Sequence, residues 1–375
     1  MSTTPPPDAR PPGNAAETRT VRVQGIVQGV GFRPFIFRLA TQHGLTGWVR
    51  NGAAGVEIRV RGAPAALDRF VADLRPLAPP AAQITRLTAT PADDEPFDAF
   101  TIITSDDEPR PTVRISPDLP VCDACLRELR DPSDRRHGYP YINCTDCGPR
   151  YSIIVGLPYD RPLTTMRDWP LCPACAAEYH NPRDRRFHAQ PVACPACGPT
   201  FELHAADSPP RRGDAALAET VSLLRAGRIV AVKGLGGYHL ACDACDAAAV
   251  AALRSRKYRK EKPFALMVRD VAAARELLVL DEAGAALLAS TARPIVLAAA
   301  RVTLPGVAPD NHELGVMLPY TPLHHLLFDA GAPAALVMTS ANRSNEPLAY
   351  QDEAARRELD GIADAYLVGQ RPIAR

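Results

Sequence analysis

Eight of the ten cysteines in this chain of 375 residues fall into four Cys-x-x-Cys pairs: Cys122/Cys125, Cys144/Cys147, Cys172/Cys175 and Cys194/Cys197. Eighteen residues separate the first pair from the second, eighteen separate the third from the fourth, and twenty-four separate the two halves. A Cys-x-x-Cys turn aims two sulfurs at one point, and two such turns complete the tetrahedron of soft ligands that structural zinc requires. The equal gaps favour pairing first with second and third with fourth, although an interleaved arrangement also fits. Disulfides would need an oxidising compartment, but Met1–Asn14 is polar and Pro-rich, with no apolar run of the kind an export signal carries. Redox exchange needs one pair rather than four matched ones. The expectation is two structural zinc ions. Cys242 and Cys245 form a fifth pair with no partner pair and read as ordinary thiols.

A net charge of +1, from 43 basic and 42 acidic residues, provides no broad field for nucleic acid or membrane surfaces. No apolar run is long enough to span a bilayer. A cytoplasmic, multidomain α/β protein is expected. Residues 1–17 read as a disordered tail. Residues 18–104 alternate strand-like and helix-like segments: strands at 21–27, 56–61, 84–89 and 100–103, and helices at 34–43 and 65–74. This fits a ferredoxin-like α+β sandwich. Residues 105–204 comprise a linker and the Cys array, where few apolar residues are available and metal must replace a core. Residues 205–375 open with a short linker and then alternate helices with strands at 229–232, 265–268, 295–298 and 335–338, an α/β domain.

Two motifs in the first segment carry chemistry. Gly25-Ile-Val-Gln-Gly-Val-Gly-Phe-Arg33 joins a strand to a helix. Its glycines let the backbone curl so that amides point inward, the helix start adds partial positive charge, and Arg33 adds a forked, permanent cation. That is a phosphate cradle. Gly47-Trp-Val-Arg-Asn51 ends in a side-chain amide able to orient water. The order of residues resembles both signatures of the acylphosphatase family. The resemblance implies that Arg33 binds an acyl phosphate and Asn51 positions the attacking water. Glu57 stands where that family has an apolar residue, with Val56 and Ile58 beside it, which leaves the register of this strand open.

The Cys array is itself an internal repeat. Asp131-Pro-x-Asp-Arg-Arg and Cys144-x-x-Cys-Gly-Pro in the first half match Asn181-Pro-x-Asp-Arg-Arg and Cys194-x-x-Cys-Gly-Pro in the second. His137 and His188 occupy equivalent places. Eight thiolates already satisfy two zinc ions, so these histidines read as packing or hydrogen-bonding groups and the Arg-Arg pairs as salt-bridging ones. With these flanks, the chain from about residue 18 onward resembles the N-terminal half of the HypF family, carbamoyltransferases of NiFe-hydrogenase maturation.

Beyond residue 214 the resemblance is to YrdC-like domains, which adenylate a carbamate-type group with ATP. It rests on Lys233-Gly-Leu-Gly-Gly-Tyr-His-Leu, on Arg254-Ser-Arg-Lys257-Tyr-Arg259-Lys-Glu-Lys262-Pro and on Thr339-Ser-Ala-Asn342. Charge builds at the α-phosphate and on departing pyrophosphate, which suits Lys257, Arg259 and Lys262. Ser340 and Asn342 offer a hydroxyl and an amide to phosphate or to the carbamoyl end. Met317-Leu-Pro-Tyr-Thr-Pro-Leu-His-His325 also resembles the family and is expected to shape the substrate cavity.

The resemblance implies carbamoyl phosphate hydrolysis, then formation of carbamoyl-adenylate from ATP as its Mg2+ complex. Delivery to the C-terminal cysteine of HypE would follow through an actin-like transferase domain expected after Arg375 in this family and absent here. A different YrdC-type carbamoyltransferase and a non-catalytic zinc-binding or chaperone module are the competing readings. Residues 18–202 argue against the first, and the second explains the cysteines alone.

Overall fold

The computed structural model describes residues 16–52, 54–104, 114–206, 208–343 and 346–375. Residues 1–15 of the expected tail and 105–113 of the expected linker lie outside that description. Two compact units form. The first comprises the chain up to Ser116 with Leu157–Asp160 and Asn181–His188; the second comprises Pro117–Gly156, Arg161–His180 and Ala189–Arg375.

In the first unit the order is β1 (Glu17–Ile26), α1 (Phe32–Gln42), β2 (Thr46–Gly52), β3 (Gly55–Gly62), α2 (Pro64–Asp73), β4 (Gln83–Ala92) and β5 (Phe100–Ile102). The sheet runs β4-β1-β3-β2-β5, antiparallel except where β5 joins β2. This is the expected ferredoxin-like sandwich with an added edge strand. Period-2 alternation builds it: Val21 and Val23, and Val56, Ile58 and Val60, point into a core completed by Phe32, Ile36, Leu67 and Phe70. That alternation settles the strand register. Glu57 faces outward, and its carboxylate meets Arg50 at 2.6 Å and Arg22 at 3.0 Å. Burial pushes its pKa up, but the hydrogen bonds from Arg50 and Arg22 outweigh it and the net shift is downward. Glu17, within the expected tail, already belongs to β1. The strand missing from the sequence reading is β2, whose glycines depress strand propensity. Gly47 is required there: at φ 137°, a Cβ would lie 2.0 Å from the Arg59 carbonyl oxygen of the neighbouring strand.

The second unit begins with the Cys array, which contributes α3 (Asp123–Arg130) and α4 (Pro173–His180). A mixed sheet follows. Its strands are β6 (Phe201–Ala205), β7 (Arg211–Arg212), β8 (Val230–Lys233), β9 (Tyr238–Asp243), β10 (Ala265–Val268), β11 (Val296–Ala299), β12 (Glu313–Met317), β13 (Ala335–Ser340) and β14 (Ala365–Gly369). The spatial order is β11-β12-β10-β13-β9-β8-β14-β6-β7. Helices α5 (Gly213–Arg225), α6 (Ala247–Arg256), α7 (Val271–Leu277), α8 (Glu282–Ala289), α9 (Pro322–Asp329) and α10 (Asp352–Glu358) complete the unit. Neighbouring strand residues enter different cores: Ala231, Leu240 and Val337 belong to one, Val232, Ala241 and Leu336 to the other. A sheet covered on both faces reads as continuous apolar runs, which is why β8, β10 and β13 were legible.

The boundary expected at residues 204/205 falls inside β6. That strand pairs with β14 and then turns into β7, so the expected linker instead contributes a hairpin that extends the sheet. The Cys-rich stretch is also tied to this sheet domain. Arg130 of α3 forks onto Asp329 of α9 at 2.8 and 3.1 Å, and the Val121 amide donates to the Tyr320 carbonyl.

Candidate functional sites

The first site lies where β1 passes into α1. Gly29 and Gly31 adopt φ values of 74° and 71°, the left-handed region glycine reaches without penalty, and Gly31 caps α1. The chain thereby turns the amino end of α1 and places Arg33 on its first turn, only 7% exposed. Asn51, on β2, is 1% exposed. Arg33 Nη2 and Asn51 Nδ2 both point at the Tyr159 carbonyl oxygen, each 3.4 Å away. At that length the bonds are weak. Arg33 Nη2 also meets Asp160 Oδ1 at 2.7 Å. The Tyr159 amide donates to Gln28 Oε1 at 3.2 Å, and Gln28 Nε2 donates to the Gly52 and Gly55 carbonyls at 2.8 Å. Gln28 thus fixes Tyr159 over the cradle. The Asn51 Oδ1 atom is buried without a hydrogen-bond partner. Both residues singled out in the sequence converge here. Tyr159 and Asp160 were missed, because they lie more than a hundred residues away in a stretch that shares no motif with the cradle.

The second site is the Cys array. Cys122, Cys125, Cys144 and Cys147 form one cluster, and Cys172, Cys175, Cys194 and Cys197 the other. This is the first-with-second, third-with-fourth pairing. Sulfur–sulfur distances of 3.7, 3.9 and 3.4 Å in the first cluster and 3.7, 3.8 and 3.6 Å in the second bracket the ~3.8 Å edge of a tetrahedron with ~2.3 Å zinc–sulfur bonds. The two clusters fit structural zinc, each bound by four thiolates. His137 is exposed, and neither it nor His188 belongs to a cluster. The Arg-Arg pair of the first repeat has a defined task. Arg135 and Arg136 both ion-pair with Glu178 of α4, and both donate to Cys175 Sγ at 3.3–3.5 Å. Buried Arg136 also donates to the Ala193 carbonyl at 2.8 Å. The first repeat therefore supplies the hydrogen bonds that orient a ligand of the second cluster.

The third site is an open cavity of about 460 Å³ in the second unit, lined by Arg259, Phe264, Met317, Tyr320, Thr339 and Ser340 among others. Lys257, at the end of α6, is 2% exposed. Its ammonium donates to the Ser340 carbonyl at 2.8 Å, to Asn342 Oδ1 at 2.7 Å and to the Asn342 carbonyl. Ser340 Oγ donates to the same Oδ1 at 2.8 Å. Burial, with Arg259 nearby, pushes the Lys257 pKa down to about 8. Arg259 lies over the Phe264 ring and donates to the Lys262 and Pro263 carbonyls. Lys262 is exposed, stands outside the cavity wall and contributes its carbonyl to Arg254 and Arg259.

Three groups near this cavity were underweighted in the sequence. The first is His239, whose Nε2 is 2.5 Å from Tyr320 Oη. The second is Tyr320. The third is His324, packed edge-on against Tyr320 at 4.6 Å. Burial keeps both imidazoles neutral, with His239 pushed down to about 4. All three lie in segments singled out in the sequence, 233–240 and 317–325, but no spacing says which of their side chains meet, so only the fold assembles them. Cys242 is fully buried, with its thiol pushed up to about 12 by desolvation, and Cys245 is exposed. Neither joins a metal cluster.

Taken together, the chain combines an acylphosphatase-type domain with a paired zinc-finger module and a Sua5/YciO/YrdC-type domain. Family profiles agree. That described as acylphosphatase matches residues 19–102, that described as HypF finger matches 121–154 and 171–204, and the Sua5/YciO/YrdC profile described as telomere recombination matches 222–375. The chain belongs to the HypF family. It is 48% identical over 384 residues to carbamoyltransferase HypF2 of Cupriavidus necator, covering 97% of this chain and 48% of that protein. It is 52% identical over 360 residues to carbamoyltransferase HypF of Rhodobacter capsulatus, covering 95% and 47%. A crystal structure of full-length HypF in the phosphate- and nucleotide-bound form superposes with a TM-score of 0.92 at 42% identity, over 98% of this chain and 48% of that one. The chain spans about half the length of the relatives it matches.

Proposed function

We propose that this chain performs the first two steps of carbamoyl transfer. The observation that carries the reading is the convergence of Arg33 and Asn51 on one atom beside a helix start, both buried, in a chain whose relatives are named carbamoyltransferases. Carbamoyl phosphate enters the cradle with its phosphate on Arg33 and the α1 amides. Water held by Asn51 attacks the phosphorus held by Arg33, the bond from phosphorus to the acyl oxygen breaks, and phosphate and carbamate result. In the cavity of the second unit, a carbamate oxygen attacks the α-phosphorus of ATP, bound as its Mg2+ complex. Pyrophosphate leaves and carbamoyl-adenylate remains. Lys257 and Arg259 stabilise the charge at phosphorus, exposed Lys262 meets the departing pyrophosphate, and Ser340 and Asn342 hold the Lys257 ammonium in place. The related structure described as phosphate- and nucleotide-bound supports one anion site and one nucleotide site.

On this reading the next step would be delivery of the carbamoyl group to the C-terminal cysteine of HypE in the cytoplasm. Among the described residues no helix is long and apolar enough to cross a membrane. The zinc module acts as a structural element.

Exchange of labelled pyrophosphate into ATP tests the second step. Exchange should depend on carbamoyl phosphate and should vanish when Lys257 and Arg259 are both replaced by Ala. Exchange that survives the double replacement removes the adenylation site from this cavity.

A further inference from the structure

Two stretches singled out in the sequence, 233–240 and 317–325, meet at one hydrogen bond. Tyr320 Oη stands 2.5 Å from His239 Nε2, and both side chains line the open cavity of the second unit. Among the described residues this is the sole hydrogen bond of the imidazole, because His239 Nδ1 is buried without a partner. Burial pushes the His239 pKa down and the Tyr320 pKa up, so the bond joins two uncharged groups. The ring fits closely: a Cβ at Gly234 would lie 3.2 Å from its Cδ2 and Nε2 atoms, and glycine leaves it room.

Tyr320 is itself held from two directions. Its carbonyl accepts from the Val121 amide at 3.1 Å, and Leu119 exchanges two backbone hydrogen bonds of 3.0 Å with Gly148. Val121 directly precedes Cys122 and Gly148 directly follows Cys147. The segment that holds the Tyr320 backbone is therefore bounded by both turns of the first Cys cluster. The Tyr320 ring packs edge-on against His324 at 4.6 Å, and neither ring nitrogen of His324 has a hydrogen-bond partner, so that contact is packing alone. With backbone and ring fixed, the hydroxyl is aimed at His239.

The place of His239 on its strand gives this bond a consequence. In the antiparallel pairing of β9 with β13, His239 lies directly opposite Ser340. Residues opposed on one face of a sheet bring their Cβ atoms within about 5 Å. The Ser340 carbonyl accepts from the Lys257 ammonium at 2.8 Å, and its hydroxyl donates to Asn342 Oδ1 at 2.8 Å. Small misplacements of groups that meet a reacting centre are costly in rate.

Resting on the adenylation reading of the cavity, we infer that Tyr320 is a positioning residue for the second step: its hydroxyl fixes the His239 imidazole against Ser340 and so keeps the Lys257–Ser340–Asn342 cluster aligned on the α-phosphate.

The test measures carbamoyl-phosphate-dependent exchange of labelled pyrophosphate into ATP on the full 375-residue chain, together with NMR of the chain made with 15N-labelled histidine. Tyr320→Phe keeps the ring, its packing on His324 and the backbone bond to Val121, and removes the hydroxyl alone. Its kcat should fall roughly five- to tenfold, the order of one neutral hydrogen bond, while KM for ATP stays within about twofold. The His239 Nε2 resonance, assigned by its loss in His239→Ala, should shift in Tyr320→Phe. His239→Ala should lower kcat at least as far, and adding Tyr320→Phe to it should bring no further loss, because the two residues act through one contact. An unchanged kcat in Tyr320→Phe, a loss confined to KM for ATP, or losses that multiply in the double variant each overturn the inference; the second outcome would mean that Tyr320 touches the nucleotide itself. A wild-type chain without exchange would sink the adenylation reading instead. The resonance then decides: an Nε2 signal unmoved by Tyr320→Phe overturns the part assigned to Tyr320, and a shifted one upholds it.

Discussion

Arg33 shows what one residue does in this chain. It lies on the first turn of a helix opened by two left-handed glycines, and its guanidinium is buried in a cradle otherwise made of backbone and amide groups. Arg33→Ala should cut acyl phosphate hydrolysis by roughly a thousandfold, because a preorganised cation aimed at developing charge is worth ~3–4 kcal/mol; phosphate release from carbamoyl phosphate measures it. Lys257 makes a different prediction. With its pKa pushed down to about 8, it is an ammonium below that pH and neutral above it, so its attraction for polyphosphate is present at low pH and fades as pH rises through about 8. ATP affinity should therefore fall between pH 7 and pH 9. At pH 9 ATP binding should take up a proton, visible as a dependence of calorimetric heat on buffer ionisation. Lys257→Arg should flatten the profile.

At the scale of elements, the paired clusters act as one module. If each ion has its own four thiolates, Cys147→Ser and Cys197→Ser should each reduce bound zinc from about two to about one per chain by metal analysis, and the combination should abolish it. Arg136 links the repeats through Glu178, Cys175 and the Ala193 carbonyl. Arg136→Ala should lower the free energy of unfolding by ~3 kcal/mol, since it breaks a buried ion pair and orphans its partners. Urea denaturation should show this with the zinc content unchanged. The repeat was legible because metal ligands recur at fixed spacing. The Arg-Arg pair was expected to form salt bridges, and it does so with Glu178, but its donation to Cys175 was not legible, because nothing in the motif identifies the partner. Similarly, β8, β10 and β13 announced themselves as apolar runs. The β6–β7 hairpin did not: its Ala- and Arg-containing ends look like linker until β14 supplies the partner edge.

For the molecule as a whole, the two proposed steps differ in what they require. Lys257→Ala should abolish pyrophosphate exchange and leave phosphate release intact. Arg33→Ala should remove both the release and the exchange that depends on carbamoyl phosphate. Loss of phosphate release in Lys257→Ala would contradict this order of steps. The division into two compact units follows no simple cut in the sequence. The Cys-rich stretch lies mostly with the nine-stranded sheet, while Leu157–Asp160 and Asn181–His188 belong with the ferredoxin-like unit, where Phe187 meets Phe37 edge-on at 5.4 Å.

By itself the sequence determined the components. Cys spacing, glycine-rich turns, period-2 strands and basic runs are local patterns, and zinc, anion cradles and sheets impose them over short stretches of chain. The eight thiols were legible for that reason; Arg33, Asn51, Lys257, Ser340 and Asn342 were singled out on motifs that resemble known families, and their roles are proposals. The tertiary structure alone decided which distant groups complete each site. Asp160 reaches Arg33 across 127 positions, Arg136 reaches Glu178 across 42, and His239 reaches Tyr320 across 81. A single carboxylate, hydroxyl or imidazole leaves no periodic trace, so its partner is set by chain topology and packing rather than by any spacing a sequence can display.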